Sequence, residues 1–374
     1  MNVNKWAFGA LLFFLFFAAT ACEESESPGP TSNPDVLPTA SRQGGTTQRK
    51  HRYLGVDISV PEDGDYDRAF TMVYELGARE ISLSVAWDDI ESAPGVYDPD
   101  PNWLAIANIY YGAVEDVVIS LMIGLIDTNI NCVPSDLANK PFDDPEVIQR
   151  YQKLLDYVFD QIPDLELLSL SIGNEIDAYL GTDPELWRQY QAFYEAVSAY
   201  ARAQRPGLLV GAKAQLDGLL GPPKSYLRSL NELSDVILVT YYPLGGDFAV
   251  KNPRVVWEDF QALVSAYEGR TIHMLEVGYP TSAALNSSES KQADFMREVF
   301  RTWDAYADQI HVVSFTWLTD VPQSSVEEME AYYGFSAFNF AEFLRTLGLR
   351  TYEGSGEDKQ AFGVLVEEAK AREW

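Results

Sequence analysis

From residue 51 onward the chain alternates short apolar runs with longer amphipathic stretches. The runs fall near Tyr53–Ser59, Glu80–Ala86, Val117–Ile123, Leu167–Gly173, Leu208–Ala212, Val236–Thr240, Thr271–Leu275 and His311–Phe315. Most are continuous apolar segments of the kind a parallel sheet buries on both faces. One alternates: Leu168, Leu170 and Ile172 take one side, and Ser169, Ser171 and Gly173 take the other. The stretches between them carry helix signals. Asp183-Pro184-Glu185 is a cap, a first-turn proline and a first-turn acid, opening a helix that runs towards Ala203 and stops at Arg205-Pro206-Gly207. Asp144-Pro145-Glu146 opens another in the same way. Asp67 to Leu76 reads as a helix ended by Gly77, and Gln360 to Arg372 as the last one. Eight strands alternating with helices over roughly 320 residues predict an α/β fold, a (β/α)8 TIM barrel, as a single domain at residues 51–374. An open doubly wound sheet is the rival, but no phosphate-binding turn follows the first strand.

In such a barrel the site lies at the carboxyl ends of the strands. Asp57, Trp87, Asn174, Glu175, Tyr242, Glu276 and Trp317 all fall at or just past strand ends. Two of these ends are alike. Leu168 to Ile172 leads to Gly173-Asn174-Glu175, and Thr271 to Leu275 leads to Glu276 and then Val277-Gly278-Tyr279-Pro280. A carboxylate at the tip of a greasy strand has left the core and entered a site. Two glutamates facing one cleft suit glycosidic hydrolysis, which needs one protonated and one ionised carboxyl group. Glu175 is then the candidate acid/base and Glu276 the candidate nucleophile. The aromatic-rich segment Thr319 to Lys359 is expected to fold over one side of the cleft.

Composition narrows the partners. The formal charge of −29 argues against nucleic acid, which needs clustered Lys and Arg. Neither cysteine, Cys22 or Cys132, stands at metal-ligand spacing with His51, His273 or His311. No metal and no cofactor are expected, and the chain is expected to act as a monomer on a glycan.

The amino-terminal stretch differs in kind. Lys5 precedes an apolar run from Ala7 to Ala18, closed by Ala19-Thr20-Ala21-Cys22. The run is short for a membrane span and has the form of a secretory signal. Small residues directly before a cysteine resemble a bacterial lipoprotein lipobox. That resemblance implies a signal peptide at 1–21 and lipidation of Cys22, hence an extracytoplasmic protein anchored to the bilayer of the cell envelope. An ordinary secretory signal with an incidental cysteine is the alternative. Residues 22–50, rich in Ser, Thr, Pro and Gly, read as a flexible tether.

The strand-end motifs also resemble a family. Ile172-Gly173-Asn174-Glu175 after a fourth strand and Leu275-Glu276-Val277-Gly278-Tyr279-Pro280 after a seventh are similar to clan A of the retaining glycoside hydrolases. Gly55-Val56-Asp57-Ile58-Ser59 and Tyr241-Tyr242-Pro243 resemble the endo-β-1,4-galactanase family within that clan. The resemblance implies an endo-acting, retaining β-glycosidase for galactan-like glycans first and β-glucan or β-mannan second. It also implies that Asn174 binds the sugar 2-hydroxyl, that Tyr242 donates to Glu276, and that Trp317 is a sugar platform, with Asp57 and Trp87 as further substrate contacts. Two departures stand out. The clan pattern has an arginine on the second strand facing the nucleophile, and Ser82 holds that position here. The third strand lacks the His-rich ending of galactanases. A barrel that binds glycan without cleaving it is the competing expectation.

Overall fold

The computed structural model describes residues 52–352 and 356–374. Cys22, the signal-like segment and the tether lie outside them. The described chain is a (β/α)8 barrel. Its strands are β1 (Tyr53–Val56), β2 (Glu80–Ala86), β3 (Val118–Asp127), β4 (Leu167–Asn174), β5 (Leu209–Gly211 and Lys213–Gln215), β6 (Ile237–Tyr241), β7 (Ile272–Val277) and β8 (Ile310–Phe315). All eight runs read from the sequence are strands. Neighbours pair in parallel, and β1 pairs with β8 to close the ring on one side.

The opposite side closes through a break. The first half of β5 pairs with β4, Ser169 opposite Leu209 and Ser171 opposite Gly211. The second half pairs with β6, Leu238 opposite Lys213 and Thr240 opposite Gln215. Ala212 is the hinge between them. At this hinge the Lys213 amide donates to Ser171 Oγ at 2.9 Å.

The outer helices form where the caps predict. Helix α1 is Tyr66–Glu75, α2 Trp103–Tyr111, α3 Pro145–Gln161, α4 Pro184–Gln204, α5 Lys224–Asn231, α6 Val255–Ala266 and α7 Glu289–Ala305. Asp183 accepts from the amides of Glu185 and Leu186, and Asp144 from that of Glu146, so each satisfies donors that the helix start leaves unpaired. The main core lies between strands and helices, with Ile119, Leu154, Tyr190, Phe193, Val197 and Phe260 fully buried. After β8, helices α8 (Gln323–Tyr333) and α9 (Phe338–Arg345) fold over one side of the barrel mouth before the final helix α10 (Gln360–Ala371). Val326, Met329, Phe340, Phe343, Leu344 and Leu347 form a second apolar cluster there, as the aromatic content of the segment predicts.

The barrel interior carries many polar residues beside an apolar cluster of Val236, Leu238, Leu275 and Val312. Glu80, Ser120, Ser169, Ser171, Lys213, Thr240, His273 and Ser314 are all buried. Ser82 Oγ donates to Glu80 Oε1 at 3.0 Å, and burial raises the Glu80 carboxyl group. Gly55 must be glycine, because a Cβ there would run into the Glu80 carboxylate and Ser314.

Candidate active site

A cleft of about 640 Å³ opens at the carboxyl end of the barrel. Asp57, Asn174, Glu175, Tyr242, Glu276 and Trp317 all line it, so six of the seven residues read from strand ends are brought together. Trp87 is the exception and a correction to the sequence reading. It is 0 % exposed, its indole donates to Glu91 Oε2 at 2.7 Å, and its ring meets Tyr151 edge-on at 5.2 Å. It opens the short helix Trp87–Ile90, and its ring packs into the main core rather than lining the cleft.

The backbone at the end of β4 turns sharply to present Glu175. Gly173 has φ 92°, and Glu175 itself is left-handed at φ 44°, ψ 45°. Such a conformation in a residue with a side chain stores strain of about 1–3 kcal/mol and is concentrated at functional sites. The Glu175 carboxyl group is buried. Thr128 Oγ1 and Gln215 Nε2 donate to its Oε2 at 2.9 and 3.1 Å, and both donors are neutral. Burial, with the negative charges of Glu276 and Asp177 behind it, pushes Glu175 up to about 8. A carboxyl group in this position holds its proton at neutral pH.

Glu276 has a different environment. Lys213 Nζ donates to its Oε1 in an ion pair, and Tyr242 OH donates to its Oε2 at 3.0 Å. Both oxygens are therefore held, one by a cation. Burial alone would lower the Lys213 ammonium, but Glu276, Glu175 and Asp127 outweigh it and hold the group above its ordinary value. The Tyr242 ring lies against the backbone of Gly278, where a Cβ would come within 2.7 Å of Tyr242 Cε1. That contact explains the glycine in the motif after Glu276.

Asn174 sits beside the pair. Its Nδ2 donates to Asp127 Oδ1 at 2.7 Å, and its Oδ1 is buried with no partner. An acceptor at the cleft wall is thus left for a ligand hydroxyl. Asp57 Oδ1 accepts from the Ser59 amide at 2.7 Å, and burial raises its carboxyl group. Trp317 is half-buried on the α8–α9 side.

Several site residues escape a reading by strand ends. Lys213 and Gln215 come from the second half of β5, beyond the predicted strand. The signal is present all the same: a lysine inside the apolar run Leu208 to Ala214, with Gln215 two residues on, marks one inward face. Asp127 ends β3 and Thr128 follows it in the turn; the strand runs four residues past its predicted end, where Ile130–Asn131 folds back onto it. Tyr332, which donates to Asp127 Oδ2 at 2.9 Å, comes from α8 and has no local signal.

No family model matches the chain, and no curated protein matches it. Solved structures do. A GH5_18 variant from Bifidobacterium longum subsp. longum, in complex with Manb1-4GlcNAc, has a TM-score of 0.65 at 17 % identity over 86 % of this chain and 78 % of its own. The exo-beta-1,4-mannosidase of an Opitutaceae bacterium gives 0.67 at 17 % identity over 86 % of this chain and 59 % of its own. A family 39 glycoside hydrolase from Bacteroides cellulosilyticus gives 0.58 at 16 % identity over 86 % and 64 %. At these identities the likeness is one of fold: this chain folds as the (β/α)8 barrel that those glycoside hydrolases share.

Proposed function

We propose that the chain is a retaining β-glycoside hydrolase, with Glu175 as acid/base and Glu276 as nucleophile. One observation carries the reading: two glutamates line one cleft in opposite electrostatic environments. Glu175 is buried among neutral donors and keeps its proton; Glu276 is paired with an ammonium. Consecutive inward residues of one half-strand, Lys213 and Gln215, hold the two carboxyl groups. This supports the short separation of about 5 Å that retention requires over the wider spacing of inversion.

The steps follow from the partners. A Glu276 oxygen bonds to the anomeric carbon as the glycosidic C–O bond breaks, and the Glu175 proton passes to the leaving oxygen. The resulting ester on Glu276 is neutral. Its former charge no longer disfavours ionised Glu175, which now serves as base. It takes a proton from the water that attacks the anomeric carbon and releases Glu276. Asn174 Oδ1 accepts from the sugar 2-hydroxyl, Trp317 stacks on a sugar face, and Asp57 binds a further hydroxyl.

The substrate class is a β-linked glycan or oligosaccharide. The first- and sixth-strand motifs support galactan. The mannosides named for the similar folds support a β-mannoside. The test is a panel of both, with aryl β-glycosides, read by reducing-end release and by NMR of the first-formed anomer. Glu276→Gln should be inert on all substrates. Glu175→Ala should keep a first step on activated aryl glycosides and regain turnover with azide, giving a β-glycosyl azide. A wild type inert on the whole panel, yet binding glycan, would favour a non-catalytic barrel, the reading that Ser82 supports. We further propose that acylation of Cys22 anchors the protein in the cell envelope. Cys22→Ser should then leave the membrane fraction; retention there would refute the anchor.

A further inference from the structure

Resting on the hydrolase reading, we propose that Lys213 is the positioning residue that decides which of the two glutamates keeps the proton. Two carboxyl groups in one water-poor cleft disfavour double ionisation, and nothing intrinsic to a glutamate says which will hold the shared proton. The asymmetry must come from what touches them. Among the described residues, Glu175 receives the Thr128 hydroxyl and the Gln215 amide on its Oε2. Glu276 receives the Tyr242 phenol and a cation.

The geometry leaves that cation little freedom. The Lys213 side chain is 6 % exposed. Its backbone is pinned where β5 breaks, its amide turned to the side-chain oxygen of Ser171 on β4. The groups facing the pair come from every side: Asp57 after β1, Asp127 at the end of β3, Glu175 after β4, Tyr242 after β6 and Tyr333 from α8. All are acids or phenols. The β2 side adds another acid, Glu80, with Ser82 bonded to it at 3.0 Å. Of the described residues lining the cleft, the other basic one is Lys251, which is 41 % exposed and faces Asp217 at 4.0 Å. Lys213 is thus the buried positive charge for a ring of carboxyl groups, and it touches the nucleophile rather than the acid. It does from the fifth strand what an arginine on the second strand would do, and Ser82 at that second-strand position is compensated.

The experiment compares wild type, Lys213→Met and Lys213→Arg on an activated aryl β-glycoside across pH. Loss of the ammonium should move the acid limb of kcat/KM up by at least about one pH unit, because an unpaired carboxylate ionises less readily. At the wild-type optimum kcat/KM should fall about 10²–10³-fold, and Lys213→Arg should recover most of the limb position. A uniform loss with both limbs in place would overturn the proposal and leave Lys213 a packing residue. A second measurement needs no turnover. Lys213→Met and Glu276→Gln should each lower the melting temperature by about 5 °C, and the double variant should lose clearly less than the sum. Additive losses would refute the pairing. A wild type that cleaves nothing would remove the hydrolase reading, while this cycle would still decide whether the two side chains act as a unit.

Discussion

The most demanding consequence of the site concerns stability rather than rate. Glu175 is pushed from the ordinary glutamate value of 4.5 up to about 8. The folded protein therefore binds this proton more tightly than the unfolded chain. Below pH 4.5 both states are protonated, and the group's contribution is fully present. As pH rises the unfolded state releases its proton first, so stability falls until the folded group titrates near 8. The span of about 3.5 pH units corresponds to about 5 kcal/mol in all. Asp177 and Asp320 are also raised, mainly by burial, but only to about 6. Burial raises Asp57, Glu80 and Asp127 as well, so the contribution of Glu175 between pH 6 and 8, about 3 kcal/mol, is read as a difference from a variant that keeps those acids. A folded part of about 320 residues has an unfolding entropy near 0.7 kcal/mol/K, so the expected change is about 4 °C. Glu175→Gln keeps the shape and removes the proton. Calorimetry of both proteins at fixed ionic strength should show wild type losing about 4 °C relative to the variant between pH 6 and 8. The variant should be the more stable protein at pH 9. Parallel melting curves across that window would refute the claim that Glu175 is held neutral.

Three further outcomes follow from single contacts. Tyr242→Phe removes the phenol donor to Glu276 Oε2, and kcat/KM should fall about 10–100-fold with the melting temperature little changed, measured on an aryl glycoside. Gly278→Ala forces a methyl group into the Tyr242 ring and Leu347, so activity should drop at least as far as in Tyr242→Phe, with a loss of stability that calorimetry will show. His273 is buried and pushed down to about 3, below its unfolded value, so it costs stability as pH falls from 6.5 towards 3. His273→Leu should therefore flatten the decline of melting temperature across that range.

The barrel was legible because its strands are buried on both faces and its helices carry explicit caps. Asp183-Pro184 and Asp144-Pro145 mark helix starts by chemistry that needs no tertiary context. The carboxyl groups were legible for a related reason: Glu175 and Glu276 each end an apolar run, where a charge has no business in a core. Trp87 satisfied the same positional rule and is nonetheless packing, because position at a strand end does not say which way the chain turns next. Here the ring enters the core, where Glu91, with Arg150 behind it, holds the indole. Lys213 was overlooked for the opposite reason. It belongs to a strand whose pairing changes partner at Ala212, and a rule that looks for one continuous run stops at that residue. Tyr332 comes from a helix far along the chain and reaches Asp127 only through the packing of α8, which no local pattern encodes.

The interrupted fifth strand also leaves one thin seam in the ring. β5 gives each neighbour only three residues, and of the other junctions only that of β1 with β2, matched at Gly55 and Glu80, is shorter. Opening the seam between β4 and β6 therefore breaks fewer ladder bonds than opening it anywhere along β2, β3 and β4, where β2 and β3 alone run in register from Glu80 to Ala86. The residue at that seam is the one that holds the nucleophile. Opening of this seam should therefore cost the charge pairing at Glu276 as well, and the Lys213 amide, bonded across it to Ser171 Oγ, should exchange with solvent together with the loss of the Lys213–Glu276 contact.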